Sequence, residues 1–226
     1  NGQINNEESK QLNPTVLADY ETFVQSEINK GNIAGAEVLI SKDNLVRWHH
    51  SWGFSNIDSK SPLELNSIYY IQSMTKPIIS VAVMQLFEKG YFSFDEDLSQ
   101  FIPELKGLEV ALNPEDGLKS LKVPLKHKIT ARQLLTHTAG FSHGLGDNKL
   151  EKQLFKALYY DDTDYNLHQN IENRVKILFE FPLVGQPDAQ WYYSAATDVL
   201  SLLIERVTGK TTAEYLKTSI LEPLGM

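Results

Sequence analysis

Apolar residues first recur at helical spacing behind Asn13-Pro14, where Leu17, Tyr20, Val24 and Ile28 fall on one side of a 3.6-residue turn. Asn13 carries an N-capping side chain, Pro14 has the fixed φ of a first helical position, and Gly31 is placed to close the helix. The period then shortens. Residues 36–40 and 45–52 read as two strands around the turn Lys42-Asp43-Asn44, with the hairpin ending at Gly53-Phe54. Ser61-Pro62 marks a loop, and residues 68–71 form a short extended run. Next come Ile78, Ile79, Val81, Ala82, Val83, Met84, Leu86 and Phe87, which leave almost no polar face. That pattern predicts a helix buried on all sides and stopped by Gly90.

Phe94-Asp95-Glu96-Asp97-Leu98 reads as a turn into a helical piece ending before Pro103, and residues 107–128 read as loop, with Pro114, Gly117 and Pro124. Thr130 caps a short helix over 131–135, which ends in Thr136-His137-Thr138-Ala139-Gly140. Helices are predicted over 151–160 and 170–181, with a turn region at 182–187. A further helix over 195–207 places Leu200, Leu203, Ile204 and Val207 on one face, and the last runs over 211–220.

Composition narrows the classes. The chain has 226 residues, suited to one large domain or two packed lobes, and a formal charge of −8, which argues against a nucleic-acid backbone as partner. It has no cysteine, which excludes disulfides, thiolate catalysis and cysteine-held zinc. No apolar run is long enough to span a membrane. The chain opens on Asn1 rather than Met, so the expectation is a mature or trimmed product. Its polar leader over residues 1–13 suits a tether behind a removed export signal, hence a periplasmic or secreted location, or equally a cloning boundary.

The candidate chemistry centres on Ser73-Met74-Thr75-Lys76. Residues three apart share a helix face, so the Ser73 hydroxyl and the Lys76 amine can meet. A serine hydroxyl needs a base beside it, and a lysine serves only when neutral, a state favoured by burial or a nearby cation. Ser73 also falls at a helix N-terminus, where free N–H groups favour a developing oxyanion. Farther on, Trp191-Tyr192-Tyr193-Ser194-Ala195-Ala196-Thr197-Asp198-Val199-Leu200 leads into a helix and offers a tyrosine as proton carrier.

Taken in order, the Ser73–Lys76 motif, Leu134-Leu135-Thr136-His137-Thr138-Ala139-Gly140 and the 191–200 stretch resemble the serine β-lactamase and penicillin-binding-protein superfamily, more narrowly its class C β-lactamase-like esterases. Phe87-Glu88-Lys89-Gly90, Glu205-Arg206-Val207-Thr208-Gly209-Lys210 and residues 221–226 fit the same family, so the likeness runs from about Ile33 to the last residue. The resemblance implies an α/β (α+β) fold: an antiparallel sheet flanked by helices, with an inserted helical lobe. It divides the chain into the leader, a sheet-and-helix portion over 14–90 carrying the nucleophile, and a mainly helical lobe over 91–226 carrying the tyrosine motif. Ser73 resembles the nucleophile that becomes acylated, Lys76 its base or proton partner, and Tyr193 the tyrosine that relays the proton to the leaving group; which of Lys76 and Tyr193 is the base stays open.

Two departures matter. The family's tyrosine motif has Asn two positions on, where this chain has Ala195; the missing amide shifts weight from lactam or peptide toward simple esters. Tyr192 forms a rival Tyr-x-Ser pattern, though the Trp-x-Tyr-Ser spacing favours Tyr193. The family's third motif is absent: Lys210-Thr211-Thr212 lies between two helices and is rejected. The chain is therefore expected to stop before the family's remaining strands, leaving an unpaired sheet edge and an exposed apolar face. The rest would be a separate, disordered or removed piece, or a segment supplied by another polypeptide.

The expected function is a serine hydrolase that cleaves carboxylic esters through an acyl-enzyme on Ser73. The alternatives are a D-amino-acid peptidase or DD-carboxypeptidase, a β-lactamase, or a non-catalytic scaffold. Tyr192, Ser194 and His143, the last in a glycine-rich loop, are expected to line the substrate site. No cofactor and no metal is implied, and the partner is a small-molecule ester or amide. His49 and His50 alternate across a strand and cannot share a metal, and Trp48 and Trp52 share one face and read as core. His137 reads as a hydrogen-bonded structural residue, and Asp161, Asp162 and Asp164 as a solvated acidic loop.

Overall fold

A computed structural model of the chain describes residues 12–159 and 170–226. The predicted helix end at Tyr160, the acidic group Asp161, Asp162 and Asp164, and most of the expected leader lie outside the described residues. Contacts divide the chain into two compact units, Asn1–Tyr70 and Ile71–Met226.

The first unit sets a helix on a small sheet. Helix α1 (Pro14–Asn29) starts where predicted, with Asn13 Oδ1 accepting the Thr15 N–H at 3.0 Å. Strands β1 (Gly35–Lys42) and β2 (Leu45–Asn56) pair antiparallel, Gly35 opposite Gly53 and Lys42 opposite Leu45. Asp43 and Asn44 join them with φ of 56° and 59°, a left-handed pair whose twist matches that of the strands. β2 runs on past the predicted end at Gly53-Phe54, because Ser61-Pro62, read as loop, forms β3 (Ser61–Pro62) and pairs with Phe54 and Asn56. A two-residue edge strand leaves no alternation in the sequence, and proline is tolerated at an edge because it donates nothing to the ladder. The order is β1-β2-β3, and among the described residues no strand pairs with the outer side of β1.

Alternation along β2 decides what this unit buries. Trp48 and Trp52 point to one face and form a core with Val24, Leu17, Ile28, Val38 and Ile40. His50 is on the same face, its ring centroid 4.4 Å from that of Trp52. His49 points the other way, Nε2 2.6 Å from Glu37 Oε1, while Tyr69 Oη donates to Glu37 Oε2 at 2.7 Å. Burial and the Glu37 carboxylate push the Tyr69 phenol up to about 12.

The second unit is mainly helical. Its helices are α2 (Thr75–Glu88), α3 (Ala131–Leu135), α4 (Lys149–Tyr159), α5 (Ile171–Phe179), α6 (Ala196–Thr208) and α7 (Thr212–Leu216). α6 is the central one: Val199, Leu200, Leu203 and Ile204 are fully enclosed, and α2, α3, α5 and α7 pack around it. The short helices hold through their ends, since Thr130 with Gln133 and Thr211 with Glu214 form reciprocal capping boxes.

Two expectations fail here. α2 is not buried on all sides: Ile79, Ala82, Val83 and Leu86 face the core, but Val81, Met84 and Phe87 are exposed, because α6 and α7 pack on one side only. Residues 107–128, read as loop, contain β4 (Glu109–Ala111) and β5 (Lys122–Pro124), an antiparallel pair to which Leu183 adds a bridge at Val110. Three-residue strands paired across a long turn are too short to leave a periodic signal.

Candidate active site

Backbone conformation places Ser73 before any side chain acts. Gln72 has φ of 51°, a left-handed conformation costly for a residue with a Cβ, of order 1–3 kcal/mol. This bend turns the chain into the tight helical turn Gln72–Met74, which runs directly into α2. The turn into α2 spends most of its donors, since the Met74 N–H donates to Ile71 O, the Thr75 N–H to Gln72 O, and Pro77 has none; the donor left beside the exposed Ser73 Oγ is the N–H of Ser73 itself.

Ser73 Oγ accepts two hydrogen bonds, from Lys76 Nζ at 3.3 Å and from Tyr193 Oη at 2.6 Å. The Lys76 ammonium also stands 4.7 Å from the Tyr193 ring centroid. Burial alone would raise the Tyr193 phenol, but the hydrogen bonds with Lys76 and Ser73 and the ammonium charge outweigh it, so the phenol lies below its usual value. Ser73, Lys76 and Tyr193 thus converge as the sequence motifs anticipate.

The Tyr193 segment is tied to the turn after α3. His137, at φ 58°, accepts the Tyr192 N–H at its carbonyl at 2.9 Å. Its Nδ1 accepts the Ser194 N–H at 3.3 Å and lies 2.9 Å from Ser194 Oγ. An Nδ1 that accepts leaves the proton on Nε2, the neutral tautomer. Burial, then the Lys76 charge, then His143 hold the His137 pKa down, consistent with that form.

The same turn requires a glycine. Gly140 has φ of 84°, and a Cβ there would meet the Gly185 carbonyl oxygen at 2.0 Å. The close approach lets Val184 N–H donate to Gly140 O at 3.0 Å and Asp188 N–H donate to Thr138 O at 2.8 Å. Gly140→Ala is expected to destabilise the protein by about 3 kcal/mol or more, combining a strained φ with a backbone clash. Urea denaturation of the variant beside the parent measures it.

Three expected substrate-lining residues fare differently. His143 is in the site, stacked nearly parallel to the Tyr193 ring at 9° with 5.6 Å between centroids. Ser194 is not available to a ligand: it is 1% exposed and engaged with His137. Its place is corrected to a structural tie, since its hydroxyl turns inward against the turn after α3. Tyr192 packs against the core, its hydroxyl over Gly185, where a Cβ would come within 2.6 Å of it. It does not rival Tyr193 for Ser73. Burial, then the Glu151 charge, raise its phenol.

The sequence reading missed the second layer. Arg174 on α5 donates from Nε to Asp198 Oδ2 at 2.7 Å and from a terminal nitrogen to Tyr159 Oη at 3.2 Å. Glu151 on α4 accepts from Ser142 Oγ and Asn148 Nδ2, pinning the loop that carries His143. Asp198 belonged to the recognised 191–200 stretch, but its partner and Glu151 lie on other helices, a pairing no local pattern reports. Among the described residues no three His, Asp or Glu groups converge as a metal site.

This fold and this serine–lysine–tyrosine cluster are those of the serine β-lactamase and penicillin-binding-protein superfamily. The family model described as Beta-lactamase matches residues 20–226, and the chain belongs to that family. It is similar to a lovastatin esterase of Penicillium rubens, 32% identical over 91% of this chain and 51% of the relative. It is also similar to Esterase EstB of Burkholderia gladioli, 25% identical over 94% of this chain and 50% of that protein. Among solved structures, the unliganded simvastatin synthase of Aspergillus terreus superposes with a TM-score of 0.74 at 26% identity, covering 95% of this chain and 52% of the other. The chain thus spans about half the length of the curated relatives it matches.

Proposed function

We propose that the protein is a serine hydrolase that cleaves carboxylic esters through an acyl-enzyme on Ser73. The observation that carries this reading is the pair of hydrogen bonds on Ser73 Oγ, from Tyr193 Oη at 2.6 Å and Lys76 Nζ at 3.3 Å. At rest the phenol donates to Oγ. Once the phenol has lost its proton, a loss the Lys76 charge favours, the bond reverses and the phenolate accepts the Ser73 proton. Oγ then attacks the ester carbonyl carbon, and the Ser73 backbone N–H donates to the oxyanion. The tetrahedral adduct expels the alkoxide, which takes the proton from Tyr193 and leaves as the alcohol. Water adds to the acyl-enzyme in the same way, giving its proton to Tyr193, and the acid departs as Ser73 regains a proton.

The esterase relatives support an ester over a lactam or peptide, and so does Ala195. That residue is buried, offers only a methyl group, and its N–H is engaged with Ser142 O at 3.3 Å. No side-chain amide stands there to recognise an amide substrate.

The test is carried out on the full-length protein. A fluorophosphonate is expected to add covalently to Ser73, located by peptide mass mapping, and a nitrophenyl ester to turn over well above a chromogenic cephalosporin. Labelling elsewhere would refute the acyl-enzyme assignment, and faster cephalosporin turnover would move the protein to the lactamase reading.

A further inference from the structure

We propose that His143 is a positioning residue for Tyr193: clamped between Tyr159 and Tyr193, its ring holds the phenol in line with Ser73 Oγ. This rests on the acyl-enzyme reading above.

Three aromatic rings form a row. The His143 ring is 8° from the plane of Tyr159, with centroids 5.4 Å apart, and 9° from that of Tyr193 at 5.6 Å. Tyr159 Oη lies 2.9 Å from Nδ1 and 3.1 Å from Nε2 of His143, so the phenol hydroxyl also contacts the imidazole. Tyr159 is itself held from α5, through Arg174, whose guanidinium is fixed by Asp198 on α6. Gly144 allows the tight approach of the loop to α4: its φ is 79°, and a Cβ there would lie 2.6 Å from Phe155 N. The row therefore runs from an ion pair between two helices to the hydroxyl against Ser73 Oγ.

The phenol needs such support. Tyr193 lies on an irregular segment, and the hydroxyl that must meet Ser73 Oγ is at the far end of a long ring. Of its other ring neighbours, Trp191 is exposed with its centroid 6.2 Å away, and His137 meets it tilted by 44° at 5.1 Å, so His143 is the ring that stacks parallel to it. Misplacing a reacting group by about 1 Å can cost around 100-fold in rate.

The charge state of His143 bears on the same contact. The groups facing it are Lys76 from α2, His137 from the turn after α3, Tyr159 from α4, Arg174 from α5, Asp198 from α6, and Tyr193 itself. Burial is the largest influence and lowers the imidazole pKa from 6.5; Lys76 and Arg174 act in the same direction, while a backbone hydrogen bond and Asp198 oppose them. The ring is thus neutral at pH 7. On acidification it gains a proton and places a second cation beside a phenol that Lys76 already faces. The phenolate is then favoured further, in the same sense in which Lys76 favours it.

The experiment compares full-length parent, His143→Ala, His143→Phe, Tyr159→Leu and Ser73→Ala on a nitrophenyl ester, recording kcat and KM from pH 5 to 9. His143→Ala is expected to lower kcat by about 10- to 100-fold with little change in KM. His143→Phe, which keeps a flat ring but takes up no proton, is expected to return kcat to within about threefold of the parent, because the ring contact is restored. Tyr159→Leu removes the outer clamp and lowers kcat in the same sense. Parental kcat in both His143→Ala and Tyr159→Leu, with Ser73→Ala inactive, overturns the role of His143 alone. Equal impairment of His143→Phe and His143→Ala, with melting temperatures unchanged, overturns it as well. Full activity in Ser73→Ala overturns the acyl-enzyme reading and this one with it.

Discussion

Ser73→Ala is expected to abolish ester hydrolysis, lowering kcat by about 10,000-fold or more, because the acyl bond of the proposed mechanism forms on its Oγ. What remains should be the weak catalysis of binding and oxyanion stabilisation alone. Geometry gives this its sharpness: both proton-carrying partners, Lys76 and Tyr193, converge on the same oxygen. With that oxygen gone they have nothing to activate. Adding Lys76→Ala to Ser73→Ala should therefore produce almost no further loss, since residues that act as one unit are not additive. Turnover of a nitrophenyl ester by the single and double variants, with covalent labelling as control, checks both statements. A large extra drop in the double variant would mean that Lys76 serves a second nucleophile.

Tyr193→Phe is the second large effect, expected to lower kcat by about 100- to 10,000-fold with little change in KM. The ring is retained, and with it the contacts to His137 and His143, so the loss isolates the hydroxyl. The pH dependence gives the sign. A phenol below its ordinary value, ionising to become the base, gives kcat/KM that rises with pH until the phenolate form is complete. Replacing Lys76 by Met removes the nearby cation, so the phenol moves back up and the rising limb shifts to higher pH. If that limb stayed in place in Lys76→Met, the cation would not be what tunes Tyr193.

The three converging residues were legible because each sits in a short motif whose chemistry is local. Ser73 and Lys76 are three apart on one helical face, and Tyr193 stands just ahead of α6. The hairpin was legible too, since Asp43 and Asn44 are residues that tolerate left-handed φ. What escaped was non-local. Arg174, Asp198 and Tyr159 meet across three helices, and β4 finds β5 and Leu183 across long turns. Ser194 was misplaced for a related reason: a polar residue in a motif reads as a ligand contact, while its actual partner, His137, lies 57 positions away. The exposed side of α2 was missed because composition reports how apolar a helix is, not how many neighbours are there to cover it.

The left-handed bend at Gln72 limits which amino acids can precede the nucleophile. Branched Val, Ile and Thr are excluded by their own Cβ substituents, and Pro by its ring, whereas Gly, Asn and Asp enter that conformation easily. A library randomised at this codon and selected for turnover should come back narrow, because the backbone conformation alone restricts the choice. The constraint is written in the main chain, and it is inherited by whatever residue occupies the position.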